Sequence, residues 1–271
     1  MYTLVTGATG FIGSNLVPNL KKKDILTISR QDGKNLKLIG QNGEINPKDL
    51  ANNKITIVHL ATYFSKDPSD NQKITEANIT YGKKLFDFLS DLNLTKIIYT
   101  NSMYSYYKDE TVRELHYTKT KMEFSNFLHQ FSKKRNIPLD EIFLDNTFGV
   151  GDKRRKILSI IIESIIKNME NPIKNPNNYI NLMHISDVIE RIITSINNSQ
   201  NYSTSFVNKK SVNLNSIYLF LNDYIINNFE NSELLIYGSN DYISGFPGIN
   251  YLNLEIEKTE IKLIEYIDKW K

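Results

Sequence analysis

The amino-acid sequence predicts an α/β fold, a doubly wound parallel sheet with a smaller, mainly C-terminal lobe. Three observations carry this. The chain opens on a strand-like Tyr2-Thr3-Leu4-Val5 that runs directly into Thr6-Gly7-Ala8-Thr9-Gly10-Phe11-Ile12-Gly13. Ile55 to Ala61 and Lys96 to Thr100 are apolar runs of the kind buried on both faces of a parallel sheet. Helix-patterned segments alternate with such runs through the first two thirds of the 271 residues.

The opening stretch has a specific chemistry. A strand that ends in spaced glycines and turns helical presents backbone N–H groups to a diphosphate, where the helix dipole also favours negative charge. Gly7 suits the tight turn, Gly10 lets the main chain approach the anion, and Gly13 lets the helix pack closely. The spacing is G-x-x-G-x-x-G, and a nucleotide is the expected ligand.

The following elements are read in order. Phe11 to Lys23 has a helical apolar face, with a kink expected at Pro18. The strand Ile25 to Ile28 ends in Ser29-Arg30, where a dinucleotide-binding unit meets the adenosine ribose. An acidic residue there would bind the 2′-hydroxyl of NAD. A hydroxyl beside a guanidinium suits a 2′-phosphate instead, so Ser29 and Arg30 favour NADP over NAD, the bland reading being a solvated arginine. Residues 31 to 54 offer little beyond a weak strand. His59 lies inside an apolar run and reads as a packed, hydrogen-bonded core histidine.

A loop is expected at Ser65 to Asp70 and a helix at Glu76 to Leu92. The strand from Lys96 delivers Asn101-Ser102-Met103 to the carboxyl edge of the sheet, where open α/β sheets bind ligands. His116 to Arg135 reads as a helix carrying Tyr117 and Lys121, and Ile142 to Leu144 as a strand. Helices are expected at Lys156 to Asn168, Ile185 to Ile196, Leu214 to Asn228 and Glu257 to Lys271, with a short strand at Tyr179 to Met183. The expected organisation is a dinucleotide-binding domain at 1–150, completed by about 177–210, and a substrate-binding lobe at 151–176 and 211–271.

Composition narrows the class. With 33 basic and 30 acidic residues spread along the chain, neither nucleic acid nor a membrane surface has an electrostatic prompt. No cysteine is present, which excludes disulfides, thiolate nucleophiles and zinc-thiolate sites. The most apolar run, Ile157 to Ile166, is too short to span a bilayer and contains Glu163. Without a signal-like apolar segment before the first strand, a cytoplasmic location is expected.

Tyr117 and Lys121 are four apart and project from one face of a helix. A phenol of pKa about 10 exchanges protons poorly at neutral pH, and a neighbouring ammonium favours its phenolate. Ser102 offers a second hydroxyl to a carbonyl oxygen. Alone, a Tyr and a Lys at this spacing arise often by chance in a chain with 16 tyrosines. The ordered set of Thr6 to Gly13, His59-Leu60-Ala61-Thr62, Thr100-Asn101-Ser102 and Tyr117-x-x-x-Lys121 resembles the extended short-chain dehydrogenase/reductase family, in its sugar-nucleotide branch. Asn78, Asn146-Thr147-Phe148-Gly149 and Leu182-Met183-His184-Ile185-Ser186-Asp187-Val188 add to the likeness, which covers about residues 1 to 195.

The resemblance implies a Rossmann fold and a catalytic trio of Ser102, Tyr117 and Lys121, with the phenol passing a proton to a sugar oxygen that Ser102 orients. It implies cofactor contacts from Gly7, Thr9, Gly10, Phe11, Ile12, Gly13, Ser29, Arg30, Leu60, Ala61, Thr62, Asn78, Tyr117 and Lys121. It also implies a nucleotide-diphosphate sugar as partner, touched by Asn146 and by Arg154 and Arg155 of a basic Lys153 to Lys156 run. No metal is called for. Relatives resembling this chain commonly pair as homodimers through the helices here at about 76–92 and 116–135.

Departures from the family pattern point to the reaction. Dehydratases carry Thr-Asp-Glu where this chain has Asn101-Ser102-Met103, and the reductases that also epimerise look to a cysteine. The expectation is an NADPH-dependent 4-ketoreductase, most like the enzymes that finish CDP-3,6-dideoxyhexoses for surface polysaccharide. The alternatives are a 4-epimerase that retains NAD and a non-catalytic NADP-binding sensor. Ile180 stands where the family has an arginine that is often a phosphate ligand.

Overall fold

The computed structural model describes residues 1–31, 35–198, 203–206, 211–227, 235–238 and 257–268. Met1–Phe143 with Ile189–Ser205 form one compact unit, and Leu144–Val188 with the described segments from Phe206 onward form another. The chain runs through β1 (Tyr2–Thr6), α1 (Phe11–Leu16), β2 (Ile25–Gln31), β3 (Asn35–Gly40), β4 (Gly43–Ile45) and β5 (Ile55–His59). It continues as α2 (Asn71–Thr75), a π-helical turn (Glu76–Thr80), α3 (Tyr81–Phe88), β6 (Leu94–Ser102), α4 (Glu110–Arg113), α5 (His116–Arg135) and β7 (Leu139–Leu144). Then come β8 (Asn146–Phe148), α6 (Ile157–Ile166), β9 (Tyr179–Ile180), β10 (Leu182–His184), α7 (Ile185–Asn197) and β11 (Ser203–Phe206). The last elements are β12 (Ser211–Asn213), α8 (Leu214–Asn227), β13 (Tyr237–Gly238) and α9 (Glu257–Ile267).

The first unit is built on a sheet of order β11-β7-β6-β5-β1-β2-β3-β4, in which β2, β1, β5 and β6 are parallel neighbours. This is the doubly wound sheet that the apolar runs predict. Leu4, Leu26, Ile55, Ile57 and Ile97 bury the sheet against Leu85, Phe86, Phe124 and Leu128 of α3 and α5. Helix α5 ends on Asn136 in the left-handed conformation, with Lys133, Lys134 and Arg135 in its last turn opposing the dipole. Lys96, embedded in a buried strand, donates to the carbonyls of Ser195 and Asn198 at the end of α7, 2.6 and 2.5 Å away. Arg191 of the same helix pairs with the buried Asp140 at 2.8 Å.

Several expectations are corrected. The first helix stops at Leu16 instead of reaching Lys23, because Pro18 lacks an N–H and opens a 3₁₀ turn over Val17–Asn19. Residues 35 to 45 form an antiparallel hairpin that extends the sheet, where the sequence offers one weak strand. The helix expected from Glu76 begins at Asn71, fed by a 3₁₀ turn whose Asp67 side chain accepts from Ser69 N. Strand β7 begins three residues before Ile142, since Asp140 and Glu141 are buried with partners.

The second unit has a parallel pair, β8 and β10, and a small antiparallel sheet of order β13-β12-β9. Ile161, Ile162, Leu182, Val212, Ile217, Phe220, Leu263 and Ile267 form its core. The segment expected as one strand over 179–183 is broken at the buried Asn181. No helix among the described residues is long and apolar enough to cross a membrane.

Gly13 tests the packing of the first unit. A Cβ there would lie 2.2 Å from the Gly7 carbonyl oxygen and 2.6 Å from the Ala8 Cα, both backbone atoms. Helix propensity alone favours Gly→Ala by about 1 kcal/mol. Backbone overlap outweighs it, so Gly13→Ala should lower stability by about 2–3 kcal/mol in urea titration. Measured stabilisation would refute this packing.

Candidate active site

Register places the ends of three strands side by side. Thr6 of β1 is level with His59 of β5, which is level with Tyr99 of β6. The loops that follow, with Gly7–Gly13, Leu60–Thr62 and Asn101–Ser102, therefore share one edge. The chain leaves β1 toward β2 on one side and returns to β5 on the other, so this edge is the topological switch point where open α/β sheets take ligands.

Thr6 locks it. Its hydroxyl oxygen accepts from Leu60 N at 3.1 Å and Ala61 N at 3.2 Å, and stands 2.9 Å from His59 Nδ1. With both lone pairs occupied, the hydroxyl donates to Nδ1, so the imidazole carries its proton on Nε2. That nitrogen is buried without a hydrogen-bond partner and faces an aromatic surround, with Phe124 at 5.1 Å and Tyr99 at 5.9 Å between ring centres. Burial, and secondly the charge of Lys121, push the His59 pKa down to about 3. His59 is the neutral core histidine that the sequence predicts.

The glycine loop fits a diphosphate. Gly7 has φ +67°, and a Cβ on it would sit 2.8 Å from Ala61 N. Gly10 is exposed and caps α1 without a side chain; a Cβ there would meet the Gly7 carbonyl oxygen at 3.2 Å. Thr9 is exposed, Phe11 and Ile12 are half-buried, and Gly13 is buried. Leu60 is buried, Ala61 half-buried and Thr62 exposed. Ser29 and Arg30 lie in β2, opposite Lys37 and Leu36, and their side chains fall outside the described residues.

Asn78 sits in the π-helical turn and is fully engaged with the chain. Its Oδ1 accepts from Thr62 Oγ1 (3.0 Å) and Tyr63 N (2.8 Å), and its Nδ2 donates to Tyr63 O and Thr120 Oγ1 (both 3.1 Å). It thus ties the loop after β5 to α5, one residue from Lys121.

Ser102 closes β6 and is buried; its Oγ accepts from Tyr104 N at 3.2 Å, which leaves its proton to donate. Tyr117 is half-buried on the first turn of α5, edge-on to Phe64 at 4.9 Å and 88°. Lys121, one turn further on, is 3% exposed. Its Nζ donates to the Thr100 carbonyl at 2.7 Å and lies 4.3 Å above the centre of the Tyr99 ring. Burial lowers its pKa to about 7, against the pull of Glu141.

The other predicted residues belong to the second unit. Asn146 of β8 donates to Asp145 Oδ1 at 2.7 Å. Arg154 is held by both oxygens of Asp152, at 2.6 and 2.7 Å, and by Thr147. Arg155 is exposed, 3.6 Å from Glu163. Lys156 makes no hydrogen bond or ion pair through its ammonium with the described residues. It lines a shallow cleft with Asn146, Thr147, Arg154 and Tyr266. Burial, then the charge of Arg154, lowers its pKa to about 8. The sequence marks the whole basic run without distinguishing Lys156 within it. Ile180, in the position of the family arginine, packs against this unit's core.

A switch-point edge with a glycine loop on a parallel sheet defines a Rossmann-type dinucleotide-binding protein. The chain belongs to the NAD dependent epimerase/dehydratase family, which it matches over residues 3–208. A CDP-abequose synthase from Salmonella typhimurium is 28% identical over 179 residues, 61% of this chain and 60% of that protein, so the match spans less than two thirds of the relative. A CDP-abequose synthase from Yersinia pseudotuberculosis is 24% identical over 290 residues, 98% of each chain. A solved variant of the UDP-glucuronic acid 4-epimerase from Bacillus cereus, in complex with UDP-4-deoxy-4-fluoro-glucuronic acid and NAD, superposes with a TM-score of 0.72 at 15% identity over 100% of both chains. At that identity the likeness concerns the fold.

Lys121 makes the site costly to fold. Its folded pKa of about 7 lies below its ordinary 10.5, so its contribution to stability is complete above pH 10.5 and is lost as pH falls toward 7. At about 1.4 kcal/mol per pH unit, the buried ammonium opposes folding by a few kcal/mol at neutral pH. Lys121→Met should therefore raise stability by about 3–4 kcal/mol at pH 7, with the gain shrinking toward pH 10. Urea midpoints across that range would contradict the assignment if the gain were independent of pH.

Proposed function

We propose that this protein reduces the 4-keto group of a nucleotide-linked deoxysugar, taking NADPH as reductant. The observation that carries the reading is the buried Lys121 ammonium, one helical turn from Tyr117 at the edge that also presents Ser102. The relatives named CDP-abequose synthase support a nucleotide sugar as substrate, and a CDP-linked 3,6-dideoxyhexose as product.

The nicotinamide supplies hydride to the carbonyl carbon when bound. Tyr117 delivers the proton to the carbonyl oxygen, and Ser102 holds that oxygen with its remaining O–H. Lys121 lowers the cost of the phenolate left behind, and its own pKa of about 7 lets it share the proton with bulk solvent at neutral pH. The preference for NADPH rests on the sequence at the end of β2, where Ser29-Arg30 stands in place of an acidic residue that would repel a 2′-phosphate. In the second unit, considered by itself, the basic run Lys153 to Lys156 offers donors to an anion. There Lys156 replaces Arg154 and Arg155 as the foremost donor, because both arginines are already paired with carboxylates.

The decisive assay is a panel of CDP-, dTDP-, GDP- and UDP-linked 4-keto sugars with NADPH or NADH, followed by loss of reduced-cofactor absorbance. Turnover with NADPH is expected, and Tyr117→Phe should lower kcat about 10²–10⁴-fold while binding of NADPH persists. Stoichiometric NAD surviving dialysis, with interconversion of 4-epimers and no net oxidation, would replace this reading with a 4-epimerase. Lys156→Ala should raise KM for the sugar nucleotide about tenfold and leave kcat within about twofold, the signature of binding that does not change on the way to the transition state.

A further inference from the structure

A buried acid stands behind the site and takes no part in the chemistry above. Glu141 lies in β7, between β11 and β6, and is 2% exposed. Its Oε1 accepts from Asn101 Nδ2 at 2.7 Å and from Ser125 Oγ at 2.5 Å, and its Oε2 is 3.0 Å from His129 Nε2. Asn101 in turn accepts from Ser102 N through Oδ1, at 2.8 Å. Lys121 binds the carbonyl of Thr100, and Glu141 binds the side chain of Asn101, the next residue along β6. Two opposite charges are thus buried around consecutive residues of one strand. A carboxylate withdrawn from water at this depth is costly unless hydrogen bonds and opposite charge offset it, and here Asn101, Ser125 and His129 supply the bonds.

We propose that Glu141 is a positioning residue, a buried counter-charge that keeps the Lys121 ammonium in the site while Asn101, Ser125 and His129 lock the carboxylate in place. This rests on reading Lys121 as part of the proton-transfer apparatus, and it adds a residue that neither the glycine loop nor the Tyr-x-x-x-Lys pattern indicates. Glu141 acts on titratable groups of two elements packed against β7. On α5 it raises His129 and pulls Lys121 up against the larger lowering by burial; burial first, and Glu141 less, pushes Tyr99 on β6 and Tyr106 in the turn after it up, so both tyrosines remain neutral near pH 7. On its other side Lys121 faces His59, itself neutral. His129 is half-exposed and titrates in the same region, so it must be separated from Lys121 in any test.

The test uses the full-length protein labelled at lysine Cε with ¹³C, with no sugar present. The Lys121 signal is identified by its loss in Lys121→Met and followed by NMR from pH 5.5 to 9, in the native chain and in a His129→Gln background. Glu141→Gln keeps the shape and can serve the same hydrogen bonds, so it removes the charge alone. Its Lys121 midpoint is expected about half a pH unit or more below that of the native chain, in both backgrounds. Glu141→Asp, which keeps the charge but withdraws it by one methylene, should fall by less. An unmoved midpoint in Glu141→Gln overturns the proposal. If Glu141→Gln does not fold, Glu141→Asp decides by the same titration, with a drop of about 0.2 supporting the proposal and no drop overturning it. Absence of turnover with every keto sugar would instead overturn the reductase reading and leave this titration intact. Where turnover is seen, the pH profile of kcat should move with the Lys121 midpoint, a response that a purely structural acid would not give.

Discussion

The hydroxyl of Thr6 is the interaction on which the geometry of the first unit depends. One oxygen accepts from two consecutive amides after β5 and donates to the imidazole at the end of that strand, so the last residue of β1 fixes three residues of its neighbour. Buried polar groups in so apolar a setting cost about 1–3 kcal/mol each when left unpaired, and one side chain here satisfies three. Gly7 suits this arrangement twice over, because its φ is +67° and a Cβ on it would lie 2.8 Å from Ala61 N. The glycine loop and the 60–62 loop are thereby held together before any ligand arrives, and Asn78 fastens the latter to α5.

Behind that edge the unit buries more charge than its fold requires. His59 and Lys121 sit within each other's field, and the protein resolves the conflict by keeping the imidazole neutral, with a pKa of about 3, and leaving the ammonium near its midpoint. Lys96 shows a structural solution to the same problem: its ammonium reaches two carbonyls at a helix C-terminus, where the dipole adds to the hydrogen bonds. Lys121 has one carbonyl and a ring face, a poorer set of partners. A lysine held with fewer partners than it can use gives up its proton more readily, in keeping with a Lys121 pKa of about 7.

Much of this was legible in the sequence, for physical reasons that differ by element. The buried strands announce themselves because a parallel sheet covered on both faces needs unbroken apolar runs, and α5 is marked by its helical face and basic last turn. The early end of α1 was half legible: Pro18 was seen as a kink, whereas the missing N–H ends the helix. The hairpin at 35–45 was hidden because its strands are half-exposed at the sheet edge and lack a continuous apolar run. In β7 the acids Asp140 and Glu141 broke the apolar pattern, and only tertiary partners distant in sequence, Arg191, Ser195, Asn101 and His129, make them compatible with burial. The basic run is plain in the sequence, whereas the hold of Asp152 on Arg154 and the nearness of Glu163 to Arg155 appear only in the structure.

The same burial bears on which reaction this edge can support. Removal of water from a sugar needs an acid and a base at the end of β6, beside the carbonyl. Here Met103 is fully buried and apolar, and Asn101 is buried with its amide committed to Glu141 on one side and to Ser102 N on the other. Neither can gain or lose a proton. Glu141 carries the needed charge but lies behind the strand, with both oxygens occupied by Asn101, Ser125 and His129. Among the described residues the edge does present the Ser102 hydroxyl, the Tyr117 phenol with Tyr104 packed beside it, and the Lys121 ammonium near its midpoint. The packing of Asn101 and Met103 thus leaves the end of β6 without an acid–base pair, a constraint that bears on any chemistry at this edge as much as the presence of Tyr117 and Lys121 does.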